Sequence, residues 1–294
     1  IDQKLSPWQG ELRFRNDGNA GTGAWRTNNT WVKSDLAKRN DSFIGSLEIN
    51  NDSDGSLGST IGSATYSLPI SDTWSITNSY SYSKSNYVEY SGALGDISFE
   101  TSQILTQLER TLHSSANQQW SAFASLNINR TDSYLAGDKT PLIAGANTEG
   151  WVRTGHLKGG INFSGKHKTK VWTGNIYAMQ GIGEISKEIQ RQDLAEDGIY
   201  PDEARAIGTM TNLAWTIKPG LGFNFGVGGQ VALNPLPSSM SFGVGSDAGI
   251  KGLPGSLASG DSGWISTSEL VLTTWKKADQ AFQIVPFFGM GGVH

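Results

Sequence analysis

The tetrapeptide Gly260-Asp-Ser-Gly263 is the stretch whose residue types most directly suggest chemistry. Serine proteases carry their nucleophile in this tetrapeptide, so Ser262 is a candidate nucleophile. That mechanism needs a histidine base held by an aspartate, and the chain has no Ala-Ala-His-Cys-like segment that would supply the histidine. The tetrapeptide is also followed by Trp264, where a protease would have a glycine. A serine flanked by glycines is more often part of a turn. The sequence therefore favours a structural role for Ser262.

No other constellation of catalytic or metal-binding residues stands out. The four histidines (113, 156, 167 and 294) are widely spaced, without an H-E-x-x-H motif, and the chain has no cysteine. The segment 245–252 contains a Gly-Lys neighbourhood but lacks the spacing of a phosphate-binding loop. We predict no enzyme activity, no metal and no cofactor. One enzyme class stays open, a lipid-hydrolysing barrel with a Ser–His pair on its outer wall, although no motif points to such a pair.

Composition narrows the class of protein further. The net charge is only −4 and the Lys and Arg residues are scattered, so we predict no nucleic-acid partner. The 37 glycines and the low charged fraction of 17% do not describe an ordinary soluble core, and 10 Trp, 8 Tyr and 11 Phe argue against disorder. No apolar run is long enough for a transmembrane helix. A chain without cysteine suits a periplasmic or outer-membrane location.

Hydrophobic periodicity is the main structural signal. In Trp74–Ser83 one parity reads Trp, Ile, Asn, Tyr, Tyr while the other is Ser and Thr, and Trp120–Asn129 and Phe223–Val231 alternate in the same way. A period of two predicts β-strands, because successive side chains point to opposite faces. About thirteen such segments of roughly ten residues follow one another. They begin near residues 7, 24, 42, 60, 74, 97, 120, 151, 170, 205, 221, 262 and 281.

Three features favour a membrane barrel over a soluble β-sandwich or solenoid. The polar face consists of Ser, Thr, Asn and Gly rather than Lys and Glu, and short connections alternate with long ones. Tryptophans also stand at strand ends, as at a membrane interface. They are Trp8, Trp25, Trp74, Trp120, Trp151, Trp172, Trp215, Trp264 and Trp275. We predict an all-β fold, a transmembrane antiparallel β-barrel spanning residues 1–294 as one domain in the lipid bilayer.

Residues 236–270 resemble the outer-membrane transporters of two-partner secretion, the TpsB type or haemolysin secretion/activation protein family. That family carries Val-Arg-Gly-aromatic on a long loop folded into the lumen, then Gly-Asp-x-Gly, then a strand with Glu-Leu. The corresponding residues here are Ile250, Lys251, Gly252, Leu253, Gly260, Asp261, Gly263, Glu269 and Leu270.

Further segments are similar to the same family along the whole chain. Tyr66-x-x-Pro69 resembles its strand end, Leu108–Leu112 its Leu-x-Arg strand, and Val285–Val293 its Phe-x-Asp-x-Gly strand, with Phe287, Gly289 and Gly291 at the motif positions. The amino-acid sequence of the loop resembles that of the cyanobacterial branch of the family.

Three departures from the family pattern concern the loop. Lys251 replaces the arginine, Leu253 the aromatic residue, and Gly289 the aspartate with which that arginine pairs in the family. A lysine keeps the charge but not the planar fork. By strand parity Glu269 faces the lumen, and we hypothesise that Lys251 contacts Glu269 or another luminal carboxylate such as Glu11. The alternative is that Lys251 points into luminal water.

The resemblance implies a sixteen-stranded monomeric barrel in a Gram-negative-type outer membrane, preceded by a plug helix and two periplasmic POTRA domains. About thirteen strands are visible here, so we expect the native polypeptide to be longer than these residues. The implied function is secretion of a large partner exoprotein (an adhesin, haemolysin or toxin), gated or braced by the 236–263 loop. The alternatives are a barrel-assembly-type insertase, a passive porin, or a β-rich surface adhesin without a pore.

Overall fold

The protein folds into one large antiparallel sheet. The computed structural model describes residues 8–18, 23–51, 55, 57–87, 96–146, 149–253, 257–277 and 280–294. Its strands are β1 (Gln9–Arg15), β2 (Trp25–Ser34), β3 (Ser42–Asn51), β4 (Leu57–Pro69), β5 (Trp74–Tyr87), β6 (Ile97–Ser114), β7 (Gln118–Leu135), β8 (Asp138–Lys139), β9 (Trp151–His167), β10 (Lys170–Gly181), β11 (Arg205–Lys218), β12 (Leu221–Ala232), β13 (Phe242–Val244), β14 (Ala258–Gly260), β15 (Gly263–Lys277), β16 (Gln280–Ile284) and β17 (Phe287–Val293). The helix α1 covers Glu188–Glu196.

Neighbouring strands of the barrel wall follow chain order. The wall runs from β1 to β7, continues through β9, β10, β11 and β12, and ends with β15 and β16. Strand β17 also pairs with β15, so β16 and β17 are two halves of a thirteenth wall strand separated at Pro286. Proline has no backbone N–H for the ladder, which explains a break there. The thirteen predicted strand positions are confirmed.

Most wall strands are longer than the predicted ten residues, although β1 has seven and β2 and β3 have ten each. Strands β6 and β7 each have 18 residues. The long-loop ends of β5 and β6 carry charge on the outer face, where Lys84 Nζ lies 2.9 Å from Glu100 Oε1. An ion pair in this position is expected where a strand continues beyond the apolar band, because lipid tails would not solvate it.

Side chains alternate between an apolar outer face and a polar lumen. Ile104, Ile176, Ile207 and Phe288 are large apolar residues that stay exposed on the outside. On the luminal face, hydroxyl groups of the described wall residues bond across neighbouring strands in four pairs. These are Ser46–Ser63 at 2.7 Å, Thr65–Ser79 at 2.5 Å, Ser67–Thr77 at 2.9 Å and Thr101–Thr131 at 3.2 Å. This arrangement matches lipid outside and water inside.

The two rims of the wall differ in their connections. The short-turn rim carries the turns 35–41, 70–73, 115–117, 168–169 and 219–220, and the long-loop rim carries the connections 136–150, 182–204 and 233–262. Helix α1 lies in one of these long connections. In the part of the chain that the structure describes, no helix is both long and apolar enough to cross a membrane.

Asp41 closes the first of the short turns. Its carboxylate accepts hydrogen bonds from the backbone N–H groups of Ala37 (3.0 Å) and Arg39 (3.2 Å). Burial by itself would raise the pKa of Asp41, but these bonds and one from the Tyr66 side chain outweigh it and hold the pKa below its ordinary value. The turn needs this support because Asp35, Lys38 and Asn40 have positive φ angles of 58°, 58° and 56°.

Candidate functional site in the lumen

The connection between β12 and β15, residues 233–262, is called here the luminal loop, because its described residues 233–253 and 257–262 fold back into the lumen. Its outgoing leg forms β13 and its returning leg β14, which pair with Phe242 opposite Gly260. Buried apolar residues of the loop pack on luminal side chains of the wall. One cluster joins Leu236 and Met240 to Met179, Ala204 and Ala206, and a second joins Phe242, Val244 and Ile250 to Ile265.

The Gly-Asp-Ser-Gly segment holds the base of the luminal loop. Asp261 Oδ2 accepts a hydrogen bond from Leu236 N at 3.0 Å, and Ser262 Oγ accepts one from Ala232 N at 3.0 Å. The backbone of Ser262 also exchanges hydrogen bonds with that of His294, at 3.0 and 2.8 Å. Asp261 therefore ties the returning leg to the outgoing leg, and Ser262 ties it to the end of β12, which is the structural role that the glycine-flanked serine suggested.

The glycines of the same segment allow the loop to lie against the wall. A Cβ added at Gly260 would lie 2.9 Å from His294 O, and one added at Gly263 would lie 2.5 Å from Phe242 Cδ1. Any side chain at these positions would push the returning leg away from the barrel. Glycine is required here for space rather than for backbone conformation, since neither residue has a positive φ.

Gln230 on β12 binds both legs of the luminal loop. Its Nε2 donates to Met240 O at 2.8 Å and to Asp261 O at 3.0 Å, and its Oε1 accepts from Tyr177 OH at 3.1 Å. The side chain is buried with all these groups paired. Sequence reasoning missed Gln230 as a site residue, although the alternation along β12 places its side chain on the luminal face.

The tip of the loop packs through Ile250 on a part of the wall where glycines leave no side chains. Ile250 is 3% exposed, and its side chain lies over Gly289 and Gly291 of β17. A Cβ added at Gly289 would lie 2.8 Å from Ile250 Cγ2, so the family's aspartate would not fit there without displacing the isoleucine. Next to it, Gly252 has φ of +84° and faces the ring of Phe287, while Leu253 packs on the second cluster.

Lys251 forms an ion pair with Glu269. Its Nζ lies 2.6 Å from Glu269 Oε1, and Asn224 Nδ2 donates to the other oxygen at 3.4 Å. The lysine side chain is 53% exposed and the glutamate 22%. Glu11, the other suggested partner, instead pairs with Arg13 at 2.6 Å. An exposed ion pair contributes about 0–1 kcal/mol, whereas burying an isoleucine contributes about 1.5–3 kcal/mol, so Ile250 dominates this attachment.

A second attachment crosses the lumen to the opposite part of the wall. Arg26 on β2 donates through Nη1 to Asp247 Oδ1 of the loop tip at 2.7 Å. Its Nε and Nη2 both bind Glu48 Oε1 of β3, at 2.9 and 2.7 Å. Arg26 and Glu48 are each only 9% exposed, but Asp247 is 55% exposed. Sequence reasoning missed this contact because it joins residues 221 positions apart.

The luminal site offers positioning rather than metal chemistry. Within the described ranges, no group of three or more His, Cys, Asp or Glu side chains is placed to hold a metal ion. The loop tip is held between two walls, by an apolar contact with an exposed ion pair on one side and by a buried arginine on the other. The described contacts therefore attach the loop tip to two parts of the wall inside the lumen.

Comparisons with known proteins agree with this architecture. Residues 2–293 match the model of the family described as haemolysin secretion/activation protein ShlB/FhaC/HecB. No curated protein sequence matches the chain. Among solved structures, CdiB from Escherichia coli is similar with a TM-score of 0.78 and 16% identity, over 94% of this chain and 50% of that one.

Two more structures show the same fold. CdiB from Acinetobacter baumannii has a TM-score of 0.76 and 18% identity, over 99% of this chain and 51% of its own. BamA from Haemophilus ducreyi lacking POTRA domains 1–3 has a TM-score of 0.55 and 11% identity, over 92% and 54%. The chain thus spans about half the length of these structures. The family match over almost its full length shows that the chain belongs to the ShlB/FhaC/HecB haemolysin secretion/activation protein family.

Proposed function

We propose that this outer-membrane β-barrel is the pore of a two-partner secretion system, which exports a large partner polypeptide such as an adhesin, haemolysin or toxin. The observation that carries the proposal is the luminal loop, which packs inside the barrel and is attached to two parts of the wall. Family membership supports the same conclusion. Residues 1–294 act in this proposal as a single, monomeric barrel domain.

The lining of the lumen suits the passage of an unfolded chain. Across β3 to β7 the luminal side chains include Ser46, Ser63, Ser67, Thr77 and Thr101, whose hydroxyl groups bond to one another. Because these groups are neutral and already paired, they offer few strong attachments to a passing polypeptide. A selective porin would instead carry a ring of charged side chains at a constriction.

In this proposal the luminal loop is the gate, and its opening begins at Arg26. Asp247 is the exposed partner of that contact, so water can replace it at little cost. Arg26 would keep its bonds to Glu48, and Ile250 would keep the tip on β17. The Lys251, Gly252 and Leu253 positions then serve as a brace on the β15 side, with Asp261 and Gly260 holding the loop base.

Planar-bilayer conductance of the full-length protein tests this function. The informative variant lacks residues 242–260, because Phe242 and Gly260 are paired neighbours and the deletion can close without a gap. We expect small, fluctuating conductance in the unmodified protein and larger, steadier conductance in the deletion variant. Adding an unstructured Gly/Ser-rich polypeptide of about 100 residues should produce transient current blockades in the deletion variant.

Each alternative function gives a different record. Large, steady conductance that the deletion leaves unchanged would indicate a passive porin and would contradict the gate. Conductance that opens on deletion without polypeptide blockades would contradict export of an unfolded chain. The absence of conductance in both proteins would favour an insertase or a surface adhesin.

A further inference from the structure

Charge is distributed unequally between the two rims of the barrel. The long connection 182–204 carries mostly carboxylates, and they are Glu184, Glu188, Asp193, Glu196, Asp197, Asp202 and Glu203. The short-turn rim, by contrast, is rich in cations between β6 and β11. These are Arg110, Lys166, Lys168, Lys170 and Lys218. The net charge of −4 therefore conceals two rims of opposite character.

The cations of the short-turn rim also differ in their partners. All ten ion pairs within the described part of the chain use other cations, which lie in the lumen or toward the long-loop rim, such as Arg26, Lys84 and Lys187. Among the described residues, no carboxylate lies within 4.0 Å of the side-chain nitrogens of Arg110 or Lys170. These two charges are therefore available to an external anion.

Each of these two cations is the cross-strand neighbour of a tryptophan. Arg110 is opposite Trp74 in the β5–β6 ladder and lies 5.5 Å from its ring centroid. Lys170 is opposite Trp215 in the β10–β11 ladder, at 4.8 Å. Both pairs share the outer parity of the wall, on the same face as the exposed Ile104 and Ile176.

We propose that Arg110 with Trp74 and Lys170 with Trp215, named here the basic collar, bind the phosphate groups of anionic phospholipids in the periplasmic leaflet. Short turns mark the periplasmic rim of outer-membrane barrels. Tryptophan rings settle at the level of the lipid headgroups, and an adjacent Arg or Lys then reaches the phosphates. Lys168, in the β9–β10 turn beside Lys170, adds to the local positive charge.

The direction in which these side chains point favours a lipid over an acidic polypeptide. A polypeptide entering the lumen would meet luminal cations such as Lys166, which lies opposite Val171 on the inner face. Arg110 and Lys170 instead point away from the lumen, into the bilayer boundary. Their position on opposite sides of the β7–β9 hairpin leaves room for several headgroups along this part of the wall.

Tryptophan quenching by brominated lipids tests the basic collar in the full-length protein. Vesicles contain phosphatidylcholine and phosphatidylglycerol, with dibrominated acyl chains on only one of the two in each sample. The ratio of quenching gives the relative occupancy of the two lipids at the barrel surface. We expect phosphatidylglycerol to be preferred about fivefold at about 20 mM salt, and the preference to shrink at about 500 mM salt.

In the double variant Arg110→Gln/Lys170→Gln, the ratio of phosphatidylglycerol to phosphatidylcholine occupancy should fall toward one. The matched control Lys187→Gln/Arg191→Gln removes two charges from the opposite rim and should keep it. Heat-dependent electrophoretic mobility checks that each barrel is folded, and the salt series on the unmodified protein does not depend on any variant.

Equal affinity for both lipids at every salt concentration, or a preference that survives in the double variant, would overturn the proposal. Binding of a poly-glutamate peptide to Arg110 and Lys170 without lipid preference would instead assign the collar to an acidic polypeptide.

Discussion

The two attachments of the luminal loop tip are made of different interactions. On the β15–β17 side, Ile250 fills the space over Gly289 and Gly291, and the Lys251–Glu269 pair beside it is half exposed. On the β2–β3 side, the described contact is a charged one, from buried Arg26 to exposed Asp247. The first attachment depends mainly on apolar packing and should respond only weakly to salt, whereas the second is electrostatic. If the luminal loop acts as the proposed gate, this difference predicts that the Arg26–Asp247 contact breaks before the Ile250 contact.

The largest effect is expected from the apolar attachment. Ile250→Ala should destabilise the docked loop by about 2–4 kcal/mol, because it removes buried methyl groups above two glycines that cannot refill the space. Since the chain has no cysteine, a single Ser246→Cys substitution reports the position of the tip. The rate of thiol labelling should rise by at least tenfold when Ile250→Ala is added.

A control of the same chemistry is Ile189→Ala on α1, an exposed residue far from the tip. It should leave the labelling rate unchanged. An Ile250→Ala protein that labels as slowly as its parent would show that the apolar contact does not hold the tip.

Asp247→Asn should have an intermediate effect and should depend on salt. The substitution removes the charge-assisted bond to Arg26, whereas the bonds between Arg26 and Glu48 remain. We expect about 1 kcal/mol of weakening at low ionic strength, and convergence of mutant and parent in about 1 M salt. Single-channel recording should show more frequent openings of the variant.

The matched control for this charge is Asp193→Asn, which removes a carboxylate from α1. If Asp193→Asn and Asp247→Asn raise the frequency of openings equally, the change in net charge rather than the loss of the contact with Arg26 causes the effect.

Glu269→Gln should have a smaller effect than either of these. The Lys251–Glu269 pair lies within 2.6 Å but is exposed on the lysine side, so its loss should cost under about 1 kcal/mol. Labelling of Ser246→Cys should therefore change less than threefold. A tenfold increase would mean that the ion pair, rather than Ile250, carries this attachment.

The smallest effect concerns the short turn at Asp41, which serves as a reference outside the lumen. Because the folded pKa of Asp41 is depressed, the ionised carboxylate stabilises the turn above the unfolded pKa, and this contribution is lost as the pH falls through the folded value. Asp41→Asn should therefore lower the unfolding temperature near pH 7 by a few degrees, and the two proteins should converge once the pH falls below the depressed pKa of the folded Asp41. A difference that persists unchanged at acid pH would contradict the role of the charge.

Sequence periodicity predicted the thirteen wall strands because the alternation of side chains is a local property of each strand. It also placed Glu269 in the lumen, since parity along β15 decides the face. Strand length was underestimated, because the polar extensions of β6 and β7 beyond the bilayer have no distinct local pattern. The break at Pro286 was readable from proline chemistry but was not predicted.

Parity assigned the faces of the wall, and the alternation together with the residue types of the polar face and the tryptophans at strand ends predicted a barrel in a membrane. Only the tertiary structure decided which luminal groups meet. Arg26 and Asp247 are neighbours because the sheet curls and the loop folds inward, and Gln230 joins two loop legs that are distant in sequence. The tertiary structure also explains why Gly289 replaces the family's aspartate, because the side chain of Ile250 occupies the space above this position. Faces follow from local geometry along a strand, but partners depend on long-range packing between strands and loop, which no local pattern encodes.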